Sequence, residues 1–129
     1  MPSRRHLLLA TPALALARPA LAQAWPDRPI RLVVPFAAGG GQDITARILA
    51  EPLRAALGQP IVVENRAGAS GMIGTQAMLQ APADGHALLL AGAGETAINH
   101  HLFKDRMAYD PIRDLRPVSV IGKIGRAHV

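Results

Sequence analysis

The stretch that decides the fold reads Ile30-Arg31-Leu32-Val33-Val34-Pro35-Phe36-Ala37-Ala38-Gly39-Gly40-Gly41. Its first seven residues form an apolar run rich in β-branched side chains, which is typical of a buried parallel strand. The glycines that follow predict a tight turn that opens a helix. Strand-like runs at residues 61–64 and 87–90 are followed by turns of the same kind, Gly68-Ala69-Ser70-Gly71 and Gly92-Ala93-Gly94.

These three glycine-rich turns predict a binding function rather than catalysis. Glycine lets the main chain approach a ligand closely, and the free N–H groups of the first helical turn point at an anion. Because the carboxyl ends of parallel strands meet at one edge of a sheet, we expect the three turns to converge there. Each turn taken alone could equally be a tight connection that only needs glycine conformations.

Helical periodicity follows each turn. The first helix is predicted to start between Gly41 and Asp43, whose carboxylate can cap free N–H groups, and to end at Leu57 before Gly58. Pro52 falls inside this span, where proline can kink a helix. Further helices are predicted at 72–80 and 95–103, then a loop from residue 108 and a fourth strand at 118–121. Strands that alternate with helices predict a mostly parallel sheet.

The charge is less informative than it first looks. The net charge is +5 and the pI is near 11.1, but Arg4, Arg5 and Arg18 lie in the first 24 residues, whereas all nine acidic residues follow. The remaining basic excess is small, and no basic stripe interleaved with aromatic residues occurs, so we expect no nucleic-acid partner. The chain has no cysteine, which excludes disulfides and thiolate sites.

The first 24 residues have the pattern of an export signal. Arg4 and Arg5 give a basic start, residues 7–17 are apolar, and Ala22-Gln23-Ala24 offers a small-x-small cleavage site. The run Ser3-Arg4-Arg5-His6-Leu7-Leu8 is also similar to a twin-arginine signal, with an ordinary secretory leader as the alternative. We therefore expect a mature chain that starts near Trp25 in the bacterial periplasm.

The last six residues are suspected to be non-native. The codons ATC GGA AGA GCA CAC GTC would encode Ile124-Gly125-Arg126-Ala127-His128-Val129, and this string matches the end of a widely used sequencing adaptor. We therefore expect residues 124–129 to be read-through and the natural protein to be longer.

Alternative chemistries find weak support. Gly92-Ala93-Gly94-Glu95-Thr96-Ala97 fits the dinucleotide pattern G-x-G-x-x-A, which leaves a dinucleotide-binding enzyme open, but such a fingerprint usually follows the first strand. Ser70 lies one residue too close to Gly71 for a nucleophile elbow, and we interpret it as a ligand hydrogen-bonder, a helix cap or a loop residue. No P-loop and no His-Glu-x-x-His pattern occurs. We expect no catalytic residue, metal or cofactor.

Four blocks of the chain resemble the amino-terminal part of the tripartite tricarboxylate transporter substrate-binding proteins, the Bug family. The first is Trp25-Pro26-Asp27-Arg28-Pro29 continuing through Gly40, with Asp43. The second is Leu57-Gly58-Gln59-Pro60-Ile61-Val62-Val63-Glu64-Asn65-Arg66-Ala67-Gly68-Ala69-Ser70-Gly71 with Gly74. The others are Ala83-Asp84-Gly85-His86-Ala87-Leu88-Leu89-Leu90, and Tyr109-Asp110-Pro111 with Asp114-Leu115 and Pro117-Val118-Ser119.

The resemblance implies an α/β fold of the periplasmic binding protein type II class. Residues 25–123 would be a partial first lobe with a mostly parallel sheet, and most of the second lobe would be missing. Such receptors close on a small organic carboxylate and deliver it to a membrane permease, and we expect a monomer. The implied ligand-binding residues are Phe36, Ala38, Gly39, Gly40, Gly41, Asp43, Ala69, Ser70, Gly94, Glu95 and Thr96.

The resemblance leaves two points open. Glu95 occupies a cleft position, where it would repel a carboxylate unless a basic group or water intervened, and this puts a simple dicarboxylate ligand in question. A receptor that reports the same solutes to a membrane sensor kinase is an alternative to a transport receptor.

Overall fold

The computed structural model describes residues 24–122. The predicted non-native tail and, apart from Ala24, the predicted export signal lie outside the described residues.

Three parallel strands form the sheet: β1 (Ile30–Val34), β2 (Ile61–Asn65) and β3 (Ala87–Leu89), in the order β2-β1-β3. The central strand β1 is covered on both faces. Val33 and Val34 point to opposite sides of the sheet, yet neither is exposed to solvent. This double burial explains why the strand reads as a continuous apolar run rather than an alternating one.

The core lies between the sheet and the first helix, α1 (Gly41–Leu57). Leu32 and Val34 pack with Ala46 of α1 and with Leu90, and the margin of this cluster is made by Ile61, Val63 and Leu88. Aliphatic side chains therefore fill the core, as the scarcity of aromatic residues requires. The helix α2 (Met72–Leu79) contacts β1 and β3.

The predicted end of α1 is confirmed. Gly58 adopts a left-handed conformation with φ +70°, and its N–H donates to the Arg54 carbonyl at 2.9 Å, as expected for a glycine that stops a helix. Pro52 lies inside α1, and the helix continues as one element to Leu57.

The carboxyl-terminal part of the described chain is built from short helical pieces. A single π-helical turn, Gly94–Ile98, leads into α3 (Asn99–Leu102), and a 3₁₀ turn at Lys104–Arg106 follows. The last piece, α4 (Pro111–Asp114), was predicted to be loop. Asp110 caps it by accepting hydrogen bonds from the N–H groups of Ile112 and Arg113.

Two strand predictions need correction. β1 ends at Val34 and not at Phe36, because Pro35 has no N–H to donate to a neighbouring strand. The predicted fourth strand at 118–121 is not a strand. Val118 and Val120 are 83% and 75% exposed, and the described residues pair no strand with this segment.

None of the helices within residues 24–122 combines the length and the apolar character that crossing a bilayer requires.

Candidate anion-binding edge of the sheet

The three glycine-rich turns lie at one edge of the sheet, as the sequence predicted. We call residues 37–41 the first turn, residues 68–71 the second and residues 92–94 the third. Each follows the carboxyl end of one parallel strand, and those ends lie side by side. The Asn99 side chain, just beyond the third turn, donates to the Ser70 carbonyl in the second turn at 2.8 Å.

The first turn presents the start of α1 to solvent, although two of its own N–H groups have acceptors: Gly39 donates to Asp43, and Gly40 donates to the Ala37 carbonyl at 3.4 Å. Ala38, Gly39 and Gly40 are exposed, and α1 begins directly after them. The N–H groups at the start of an α-helix have no acceptor within the helix, and the helix dipole makes this end positive. Gly41 is the first helical residue and is itself exposed. The turn therefore offers a suitable environment for a carboxylate.

Asp43 is turned away from solvent and holds the first turn in place. It is 3% exposed, and its Oδ2 accepts hydrogen bonds from the Gly39 N–H at 2.8 Å and from Arg47 Nε at 3.0 Å. Its Oδ1 accepts from the Asn65 side chain at 3.0 Å. The carboxylate thus caps the turn that precedes its own helix and leaves little room to contact a ligand itself.

These donors lower the pKa of Asp43 to about 2. The hydrogen bond from Arg47 contributes most, followed by that from the Gly39 N–H, and burial opposes both. The same ion pair raises the pKa of Arg47. Asp43 is therefore a permanently charged part of the turn at neutral pH.

The second turn has an unusual backbone. Gly68, Ala69, Ser70 and Gly71 all have positive φ, with values of 139°, 45°, 53° and 86°. Positive φ costs non-glycine residues free energy, and such conformations cluster at functional sites. Ala69 and Ser70 are exposed at the tip of this turn. The sequence could not predict these positive φ values, because neither alanine nor serine favours the left-handed region.

Glu95 stabilises the third turn through a hydrogen bond to its main chain. This residue is 1% exposed, and its Oε2 accepts from the Gly92 N–H at 2.7 Å. The side chain folds beneath the turn and lies against Gly71 of the second turn. Thr96 is exposed, and its hydroxyl donates to the Gly92 carbonyl at 2.8 Å. Gly94 is partly exposed beside it.

Arg47 and Arg66, the guanidinium groups described near these turns, already have carboxylate partners. Arg47 pairs with Asp43, and Arg66 Nε donates to Glu64 at 2.6 Å. Main-chain N–H groups and the exposed hydroxyl of Ser70 are the donors at these turns that have no carboxylate partner. Among the residues that the structure describes, no three His, Asp or Glu side chains are grouped closely enough to hold a metal ion.

Two side chains at this edge were missed by the sequence analysis. Asn65 connects the end of β2 to the first turn, and Asn99 connects α3 to the second. Asparagine is common in loops, so its identity gave no sign of these long-range contacts. Only the fold brings each amide to its carbonyl partner.

The sequence matches the model of one protein family, described as the tripartite tricarboxylate transporter family receptor, over residues 45–128. The chain belongs to this family. The resemblance noted from the sequence is thereby confirmed. A curated relative, the protein BugT of Bordetella pertussis, is 43% identical over 109 residues, which cover 84% of this chain and 33% of BugT. The chain spans about a third of the length of the curated relatives that it matches.

Solved structures agree with this family membership and with the predicted fold class. A periplasmic transporter matches with a TM-score of 0.67 and 42% identity, covering 70% of this chain and 30% of that chain. MatC of Rhodopseudomonas palustris, solved with malate, matches at 0.66 and 38%, covering 70% and 30%. Another R. palustris protein, solved with adipate, matches at 0.63 and 38%, covering 69% and 29%. The described residues form a partial α/β domain with a three-stranded parallel sheet, and the fold is that of periplasmic binding proteins.

Proposed function

We propose that this chain forms part of the first lobe of a periplasmic receptor for a small organic carboxylate. The observation that carries the proposal is the convergence of three glycine-rich turns at one edge of the sheet. Family membership and the malate and adipate of two similar structures support a carboxylate as the ligand class. The receptor would deliver its ligand to a tripartite tricarboxylate-type transporter, in keeping with the family description.

The mechanism is reversible binding without covalent chemistry. A ligand carboxylate would accept hydrogen bonds from the N–H groups at the start of α1, where the helix dipole favours negative charge. Ala69, Ser70, Gly94 and Thr96 would complete this side of the cleft. Since relatives are about three times as long as the matched region, residues outside this sequence would supply the opposite lobe, which closes on the ligand.

The buried position of Glu95 keeps its carboxylate from direct contact with a ligand in the cleft. Its Oε2 accepts from the Gly92 N–H, whereas its buried Oε1 has no hydrogen-bond partner among the described residues, so its charge still counts against a second ligand carboxylate placed nearby. Gly92 is also the first glycine of the dinucleotide-like pattern. Its N–H is occupied by Glu95 and is not free for a pyrophosphate.

One substitution tests a single main-chain donor. Gly41 occupies the first helical position, where proline is well tolerated, and the preceding Gly40 has the extended conformation that proline favours, with φ −77° and ψ 167°. Gly41→Pro therefore removes one N–H while preserving the helix. We expect affinity for malate or adipate to fall about tenfold or more, because a hydrogen bond to a charged group contributes roughly 1.5 kcal/mol or more.

The measurement is isothermal titration calorimetry on the whole receptor, meaning this segment within a chain of its relatives' length. Gly41→Ala is the matched control, since an added Cβ meets no atom within 4 Å and the N–H is kept. Equal affinity of the two variants would contradict the role of this N–H. A whole receptor that binds no carboxylate in a thermal-shift screen would contradict the proposed function itself.

A gene deletion distinguishes a transport receptor from a sensory one. If the receptor serves a transporter, its deletion abolishes uptake of the radiolabelled ligand. If it serves a sensor kinase, uptake persists and the ligand no longer induces transcription.

A further inference from the structure

We propose that Asn65 is a positioning residue that holds the first turn in the conformation able to bind an anion. This inference rests on the proposed function of that turn. Asn65 is the last residue of β2, whereas the turn follows the neighbouring strand β1, so the contact crosses between adjacent strands. A single side chain thereby couples the ends of both strands.

Every hydrogen-bonding atom of the Asn65 amide has a partner in this network. Its Nδ2 donates to the Phe36 carbonyl at 3.2 Å and to Asp43 Oδ1 at 3.0 Å. Its Oδ1 accepts from Arg47 Nη2 at 3.5 Å. An amide is the group that can donate to a carbonyl and a carboxylate and also accept from a guanidinium.

The two donor contacts flank the turn. Phe36 directly precedes residues 37–41, and Asp43, two residues after them, accepts a hydrogen bond from the Gly39 N–H. Fixing both ends of a short glycine-rich segment restricts the freedom that its glycines would otherwise have. The exposed N–H groups then point in one direction before a ligand arrives, so binding requires less ordering.

Charge around Asn65 makes the test specific. Two ion pairs lie beside it. Asp43 pairs with Arg47 within α1, and the chain neighbours Glu64 and Arg66 pair with each other. Asn65→Asp replaces the donating amide with a carboxylate that faces Asp43 across the same short contact. At pH 7.5 the two negative groups repel each other, and both hydrogen bonds that residue 65 donates are lost, whereas the bond from the Gly39 N–H to Asp43 remains.

The expected result is a loss of affinity that acid reverses. At pH 7.5 Asn65→Asp should bind malate or adipate about tenfold or more weakly than the wild-type whole receptor. Near pH 4 the ratio to wild type should move toward one, because a proton shared by the carboxyl pair restores one O–H donor between them, whereas Arg47 opposes its uptake at higher pH. Taking the ratio at each pH cancels the protonation of the ligand itself.

Asn65→Leu is the matched control. Leucine has the same number of side-chain heavy atoms and the same branching at Cγ but neither donates nor titrates, so the affinity of this variant should be reduced to the same degree at both pH values. A merely structural contribution of residue 65 would give both variants the same pH profile, and that result would overturn the proposal.

A donor exchange keeps the proposal testable if Asn65→Asp folds poorly at pH 7.5. The double variant Asp43→Asn with Asn65→Asp restores one donor and one acceptor to the pair, and it should bind more tightly than Asn65→Asp alone. Affinity of the double variant no better than that of Asn65→Asp would contradict the inference. If the wild-type receptor binds a carboxylate and all variants bind it within twofold of wild type, only the role of Asn65 is contradicted. If the wild-type receptor binds no carboxylate, the proposed function itself is contradicted.

Discussion

The side chain of Glu95 occupies the space that a side chain at Gly71 would need. A Cβ added at Gly71 would lie 2.8 Å from Glu95 Cγ and closer still to Oε1, and Gly71 also has φ +86°. The third turn of the chain therefore packs against the second only because residue 71 is glycine. This contact joins two of the three turns that form the candidate site.

Gly71→Ala should lower the free energy of unfolding by about 2 kcal/mol or more, combining roughly 1–2 kcal/mol for the left-handed backbone with the displacement of Glu95. Urea denaturation of the whole receptor measures this change. Gly94→Ala is the control, because its added Cβ meets nothing within 4 Å, and we expect it to change stability by less than about 0.5 kcal/mol. Equal effects of the two substitutions would contradict the close packing at Gly71.

Asp43 should make stability depend on pH under acidic conditions. Its pKa is about 2 in the folded state, below that of an unfolded aspartate, because Arg47 and the Gly39 N–H stabilise the charged form. The corresponding stabilisation is complete above the unfolded pKa of about 3.9 and is lost as the pH falls through about 2.

Denaturation curves between pH 2 and pH 6 for wild type and Asp43→Asn isolate this contribution. Other carboxylates with lowered pKa values, those of Glu64, Asp84 and Asp114, affect both proteins alike. We expect the stability difference between the two proteins to shrink as the pH falls from 4 to 2. A difference that is constant with pH would show that Asp43 is not the group responsible.

Ala69 should tolerate glycine better than a larger residue. With φ +45° it pays the cost that L-residues have in the left-handed region, and Ala69→Gly relieves that cost. The net change should be between zero and about 1 kcal/mol of added stability, because glycine also has the more flexible unfolded state. Ala69→Val, which is β-branched, should instead destabilise by about 1 kcal/mol or more, and thermal unfolding of both variants gives the comparison.

Tyr109 provides an optical probe of the packing behind the third turn. It is 7% exposed, its hydroxyl donates to the Glu95 carbonyl at 3.3 Å, and burial is the main reason that its pKa is raised. The related stabilisation is complete below the unfolded pKa of about 10 and is lost as the pH rises through the higher folded value.

The absorbance at 295 nm of wild type minus Tyr109→Phe, followed from pH 8 to pH 12, reports this ionisation. We expect the difference signal to begin at a higher pH than for a free tyrosine and to rise sharply where the protein unfolds. Ionisation of Tyr109 near pH 10 in the folded receptor would contradict its burial.

The sequence was sufficient to locate the three strands of the sheet, the three turns and α1, since these depend on local pattern. The β-branched run at 30–34 and Gly58 at the end of α1 both have strong local preferences. The helix α4 also had a local signal, which the sequence analysis overlooked. Asp110 followed by Pro111 is a favoured helix start.

The remaining features depend on contacts between distant residues. The burial of Glu95, the link from Asn65 to Phe36 and the π-helical turn at Gly94–Ile98 arise where separate turns meet. Val118 and Val120 have the composition of a strand, but strand formation also requires a neighbour with free main-chain groups. Composition alone could not show that this segment pairs with no strand of the described residues.

The central position of β1 has a consequence for how the chain acquires its structure during synthesis. Ile30 pairs with Ile61, and Arg31 pairs with Ala87, so the earliest strand made is flanked by two that leave the ribosome later. Non-local parallel pairing of this kind forms slowly. The nascent segment therefore lacks one of the two strands that flank β1 until residue 89 has been translated.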